Sequence, residues 1–495
     1  MKRSLVALTS ALVLLALVPS FADAYGRVSV RMDFRVSADR TLKVRGTFYQ
    51  VPGKKNKATA KRLVLEQRTA SGKWRTRDSI RTARRRTHRS KWYSFSWRPR
   101  RGTDVIVFRV RAFKGSRTFT QTRTYRIGLN PIHPAALSTG YFNACATRSS
   151  GRVECWGSEQ QGILGPGSMR RHMPLAPTPA KHLRGLHGIS VGYAHGCGIT
   201  RNGRGKCWGS NEEGQLGIGR KSGLRLKPVR VRGLRHAKKI YAGRVGSCAI
   251  RSHGSVACWG QNFSGEIGDG TKKDRFTATG VKRLKDAKAL SMGDFHTCAL
   301  RRTGRVACWG YNGSGELGDG TLETRFVPRA VAGLTDAVSL AGGSDFTCAI
   351  RETGRVVCWG YNSEGQLGNG GGFEFRRYPV PVKGLTDAVS VSAGYSHACA
   401  VRENGKTVCW GGNYYGELGN GRRGKEFVPV RVKRLPRARS VSLGGSYSCA
   451  TLRSGRVACW GDNQSSETGD GNVGYLYDGD ALKSVREHPV IVRSR

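Results

Sequence analysis

The stretch "RVACWGYNGSGELGDGT", residues 305–321, decides the fold, because the chain keeps repeating it. Taken alone it offers a thiol beside an indole and a carboxylate framed by glycines, the ingredients of a reactive site. Close copies begin at Cys155, Cys207, Cys258, Cys358, Cys409 and Cys459. A group present in every repeat is first of all a building unit.

Working outward, the fourteen cysteines form seven pairs: Cys145 and Cys155, Cys197 and Cys207, Cys248 and Cys258, Cys298 and Cys308, Cys348 and Cys358, Cys399 and Cys409, Cys449 and Cys459. The members of each pair are ten positions apart. Successive units are offset by about 51 residues, over roughly residues 135–495, a period that suits a propeller or a solenoid. Between Ala337 and Leu385 the runs "AVSLAGG", "FTCAIRETGRVVCWG" and "RRYPVPVKGL" alternate apolar and polar residues. They read as about four short strands per unit, with no helical periodicity.

If Cys298 faces Cys308, the hairpin closes at Arg301 opposite Arg305 and leaves the loop Arg302-Thr303-Gly304. Three-residue hairpin loops favour a glycine in the left-handed conformation at the third position. Gly151, Gly203, Gly254, Gly304, Gly354, Gly405 and Gly455 supply it in every unit. The cysteines then oppose each other at a non-hydrogen-bonded pair, where side chains come closest, so seven cross-strand disulfides are expected. Free buried thiols are the alternative. A zinc site would call for closer pairs such as C-x-x-C, and the sequence has none.

The other repeated residues also read as structure. The tryptophan after each second cysteine suits packing between units. Leu216 and Leu317 lie between turn glycines, and their neighbour varies: Ile163, Gln215, Glu266, Glu316, Gln366, Glu417, Glu467. Acid–base catalysis would need one chosen carboxylate with a partner. Asp269-Gly270 and Asp319-Gly320 lack the further oxygen ligands of a calcium loop and read as turns. His195, His296 and His397 could ring a central channel, but Asn143, Gly246, Phe346 and Tyr447 hold the same place in other units, so a buried, hydrogen-bonded role is expected. No catalytic residue, metal site or cofactor is singled out.

The repeated "CAIRETGRVVCWGYNSEGQLGNG" (348–370) and "VSVSAGYSHAC" (389–399) resemble the regulator of chromosome condensation family, a propeller superfamily that also includes a secreted β-lactamase-inhibitory protein. The resemblance covers about 360 residues and implies a seven-bladed β-propeller with four-stranded blades. Its precedents are nucleotide exchange on a small GTPase and protein binding through blade loops; no exchange residues can be carried over. The first unit departs from the pattern in its long connection "GPGSMRRHMPLAPTPAKHLRGL", the last in "NVGYLYDGDALKSVREH".

Ahead of the repeats, residues 1–24 read as a secretory signal peptide: Lys2 and Arg3, an apolar run from Leu5 to Val18, then Ala22-Asp23-Ala24. The run stops at Pro19, short of a bilayer span. Residues 25–127, without cysteine, read as an immunoglobulin-like or fibronectin-like β-sandwich of about seven strands, and 128–134 as a linker to the propeller at 135–495. The chain carries 85 Lys+Arg against 33 Asp+Glu, a net charge of +52. Residues 25–130 hold +25 of it, densest in "RTARRRTHRSK". Arg81, Arg84, Arg85, Arg86, Arg89 and Lys91 are therefore candidate polyanion contacts, to a surface polymer, lipid or nucleic acid; a merely solvated face is the plainer alternative.

The expectation is an all-β chain, exported, extracellular or bound at the cell surface: a monomeric, non-enzymatic scaffold that binds an unidentified protein and is held near an anionic surface by its basic front domain. An extracellular hydrolase or lyase is the alternative, and a nucleotide-exchange regulator a weaker one.

Overall fold

The computed structural model describes the N-terminal part as strands between residues 28 and 128, and describes residues 134–148, 151–159, 162–164, 176–372, 374–471 and 485–492 beyond it. The signal peptide and Arg84, Arg85, Arg86 and Arg89 lie outside the described residues.

Alternating β-branched and glycine-punctuated runs become seven antiparallel four-stranded sheets. In blade 4 the strands are Ala287–Met292, His296–Arg301, Val306–Gly310 and Arg325–Ala330, paired in chain order. The first is innermost and the fourth outermost. Its hairpin pairs Cys298 with Cys308 and Leu300 with Val306, and the Arg301 amide donates to the Arg305 carbonyl. Gly304 closes the turn at φ +80°, and the equivalent glycine of every other blade also has positive φ. All seven cysteine pairs are disulfide-bonded, with Cα atoms 4.0–4.1 Å apart as the close, non-hydrogen-bonded position requires. By loop entropy each contributes about 2–3 kcal/mol.

The seven repeated tryptophans are fully buried at the blade junctions. Each indole Nε1 donates to a backbone carbonyl of the preceding blade: Trp309 to Glu266, Trp359 to Glu316, Trp460 to Glu417. Trp156 of blade 1 donates to Glu467 of blade 7, so the same bond closes the circle. Closure exchanges no strand: Arg486–Ile491 pairs within blade 7, with Val457–Gly461, and Pro134–Thr139 within blade 1. The Tyr447 hydroxyl, donating to the Asn143 carbonyl at 2.6 Å, and the Thr139 hydroxyl, donating to the Leu443 carbonyl at 2.7 Å, join the two.

In blades 2 to 7 a buried asparagine shapes the long loop after the third strand, while blade 1 has Glu159 in its place. Asn312 accepts from the Leu317 amide at 2.9 Å and donates to the Thr321 carbonyl at 3.0 Å. Asn211, Asn262, Asn362 and Asn413 do the same in their blades. Asp269 and Asp319 act as turn formers, each accepting from the amide and hydroxyl two residues on and from an arginine of the outer strand.

The N-terminal strands form one sheet of three, Val28–Val36, Leu42–Gln50 and Ser90–Trp97, and one of five that includes Trp74–Arg81. Arg81 and Lys91 therefore fall in different sheets.

Candidate functional site

Antiparallel blades give the ring two ends. At one end lie the tips of the first strands and the long asparagine-braced loops; at the other lie the hairpin turns and the connections between blades. At the first end every inner strand runs into a glycine, then into a residue that breaks the repeat: Tyr141, Tyr193, Arg244, Asp294, Ser344, Tyr395 and Gly445. The glycine is needed because neighbouring blades converge there, and a Cβ on Gly192 would run into the Gly243 carbonyl. Backbone bonds tie the tips together, among them the Tyr193 amide to the Gly243 carbonyl at 3.2 Å and the Gly445 amide to the Tyr141 carbonyl at 3.0 Å.

All seven blades thus line one bowl of about 180 Å³. Arg244 donates to Asp294 Oδ2 at 2.5 Å while its guanidinium lies 5.5 Å from the Tyr193 ring centre and 5.1 Å from that of Phe295. The Ser344 hydroxyl reaches Asp294 at 2.9 Å and Asp345 at 3.0 Å. Tyr141 packs edge-on against Tyr193 and Tyr395, at 4.9 and 5.8 Å. Burial, then the neighbouring Tyr395 and Asp294, push the Tyr141 hydroxyl up to about 12, so it stays protonated at neutral pH. Burial, then Asp294, raises the Asp345 carboxyl. The bowl offers hydrogen bonds and aromatic faces; Phe142, Tyr311, Tyr361 and Tyr414 are exposed on the same end.

The histidines are not there. His195, His296 and His397 are buried at blade junctions, bonding Ser247, Thr347 and Ser448 of the next blade at 2.7–2.9 Å, so they do not ring the channel. Burial lowers them to about 3, 4 and 3, which keeps the rings neutral. Among the described residues no group of three His, Cys, Asp or Glu is placed to hold a metal ion. The variable carboxylates are interior too: burial raises Glu266 and Glu316 to about 7, and Glu417 and Glu467 to about 8.

The bowl residues escaped the sequence reading, which looked for irregularity in the first and last units. Tyr141 and Phe142 do come from the first unit, but Arg244, Asp294, Ser344 and Tyr395 come from units that otherwise repeat faithfully. The available signal was one varying position after a repeated glycine.

Models of the regulator of chromosome condensation (RCC1) repeat match residues 207–250, 303–350, 353–401 and 404–451, and a second model of that repeat matches five segments between 187 and 467. The chain carries RCC1 repeats. Each long RCC1 match runs from one blade's hairpin turn or third strand into the second strand of the next, so the sequence repeat spans the junction that the tryptophan bond closes. Two curated relatives contain similar segments. The probable E3 ubiquitin-protein ligase HERC6 of Homo sapiens is 29% identical over 137 residues, 26% of this chain and 13% of that protein. The ultraviolet-B receptor UVR8 of Arabidopsis thaliana is 30% identical over 157 residues, 30% of this chain and 35% of that protein. The chain thus spans well under half the length of these relatives. In fold it is similar to yeast RCC1 (Prp20), solved bound to Kap60, with a TM-score of 0.61 at 21% identity over 69% of this chain and 84% of that one. Human WBSCR16 is similar at a TM-score of 0.58 and 20% identity, over 79% and 100%.

Proposed function

We propose that this RCC1-repeat propeller is a non-enzymatic binding protein that takes a protein partner on the bowl end. The observation that carries the reading is the bowl itself: a sevenfold repeat is broken by polar and aromatic residues at one point of convergence, while His195, His296 and His397 and the acids Glu266, Glu316, Glu417 and Glu467 are buried in packing. Two solved structures of one propeller of this fold support it: yeast RCC1 (Prp20) is described in complex with Kap60, and Prp20p from Saccharomyces cerevisiae by its binding to Gsp1p and histones. Export through the N-terminal segment, disulfide reinforcement outside the cell, a sandwich-like basic front domain at 25–127 and retention of that domain on an anionic surface complete the proposal. The resemblance to exported inhibitory propellers favours this over nucleotide exchange.

The test is capture from the producing organism's surface fraction at high salt, with the wild-type chain and with Tyr395→Ala plus Asp294→Asn. A partner retained by the wild type and lost by the variant supports the bowl. A partner held equally by both overturns it.

A further inference from the structure

The end of the propeller opposite the bowl has a chemistry of its own. Among the described residues it consists of seven hairpin turns (148 with 151–152, 200–204, 251–255, 301–305, 351–355, 402–406 and 452–456) and six connections (180–187, 231–238, 281–288, 331–338, 382–389 and 432–439). Together these carry 28 Lys+Arg against 5 Asp+Glu and no Phe, Tyr or Trp. The described loops at the bowl end carry 17 Asp+Glu against 8 Lys+Arg and eleven Phe and Tyr. A basic composition alone would coat both ends.

Three of the five acids on the turn end are spent inside it: Asp286, Asp336 and Asp387 hold Arg301, Arg351 and Arg402 at 2.7–2.9 Å, fastening connection to turn. The remaining cations crowd one another. Lys239, whose ammonium donates to the Lys288 carbonyl at 2.9 Å, is pushed down by burial and then by Lys238 and Lys288.

Shape and composition select the ligand. In every blade the turn glycine lies six residues beyond the first cysteine of a hairpin with the same register, so all seven turns reach one level. The charge is spread over a disc, with neither the groove nor the stacking rings by which single-stranded nucleic acid is held. In blades 5 and 6 the place of Lys238 and Lys288 is taken by Val338 and Val389, 46% and 54% exposed. Exposed apolar side chains within a basic plane fit the interface of an anionic bilayer.

We propose that the turn face of the propeller docks flat on anionic phospholipid bilayers, its cations on headgroup phosphates and Val338 and Val389 at the acyl boundary. This goes beyond the reading above: it concerns the propeller and not the basic front domain, and its failure leaves the bowl's partner untouched.

The test is sedimentation of the full chain with phosphatidylcholine vesicles with and without 30% phosphatidylglycerol, and with soluble polyphosphate. One variant reverses four turn-face cations (Lys238→Glu, Lys285→Glu, Arg302→Glu, Arg437→Glu). A control reverses four at the bowl end (Arg220→Glu, Lys272→Glu, Lys273→Glu, Arg422→Glu), for the same change in net charge. The turn-face variant should lose about 100-fold in partition to anionic vesicles and the control less than about threefold. Val338→Ser with Val389→Ser should weaken vesicle binding several-fold and leave polyphosphate binding unchanged. Equal losses in the two charge variants overturn the proposal, as does polyphosphate binding as tight as vesicle binding with no effect of the valines, which would assign the disc to a linear polyanion.

Discussion

The two ends of the propeller are built from the same seven repeats and came out chemically opposite. At the bowl end the inner strands converge until only glycine fits, and each glycine is followed by a side chain that the repeat does not dictate. At the turn end the hairpins stand apart, so their residues are free to be polar, and cations fill them. Convergence makes a site out of single residues; separation makes a surface out of many.

The largest effect should come from breaking what holds the ends in common. Trp309→Ala removes a buried indole and its bond to the Glu266 carbonyl, and should cost about 3–5 kcal/mol in urea unfolding, with binding at both ends lost together. Loss at one end alone would mean that the ends fold independently.

Next comes pH, because the perturbed acids lie under the bowl-end loops and not at the turns. Glu266, Glu316, Glu417 and Glu467 have native values raised above the ordinary 4.5 by burial, to about 7 or 8. The folded state therefore keeps protons that the unfolded chain releases, and stability falls as pH rises from about 4.5 to 8, then levels. His195, His296 and His397 act the other way, costing stability as pH drops from about 6.5 to 3. Gln215 and Gln366 already show the neutral solution, accepting an amide two residues back just as the glutamates do. Glutamine at the four glutamate sites should raise stability at pH 9 by about 1–3 kcal/mol per site and change it little at pH 4.5, read from denaturant midpoints. A gain equal at both pH values would refute buried, protonated carboxyls.

Glycines sharpen the contrast at smaller cost. Gly192→Ala should destabilise by about 2–3 kcal/mol, because the Gly243 carbonyl cannot retreat without opening the ring. Gly203→Ala, at φ +70° in a turn, should cost about 1 kcal/mol. Thermal melts order the two, and the reverse order would deny the convergence. Smallest of all, Tyr395→Phe on the exposed rim of the bowl should shift stability by less than about 0.5 kcal/mol while weakening partner capture. An unchanged capture would move the contact elsewhere on that end.

Much of the fold was legible in residues 305–321 and their copies. Cysteine spacing with a turn glycine set the hairpin register, because a ten-residue separation and a three-residue loop admit only one facing pair. Trp309 and Leu317 read as packing for the same reason: a residue present in every unit must do something every unit needs. The bowl was illegible because its residues are 50 to 52 positions apart and share across all seven units only their place after a glycine. His195, His296 and His397 looked like a ring only while their direction was unknown.

By itself the sequence determined the unit, its strands, its disulfide pairs and its charge, all of which depend on neighbours within about ten residues or on a period. Only the tertiary structure decided where the charge lies. Strand reversal every few residues sends alternate loops to opposite ends, so cations and acids interleaved along the chain are sorted by the fold into one basic face and one end rich in acidic and aromatic side chains.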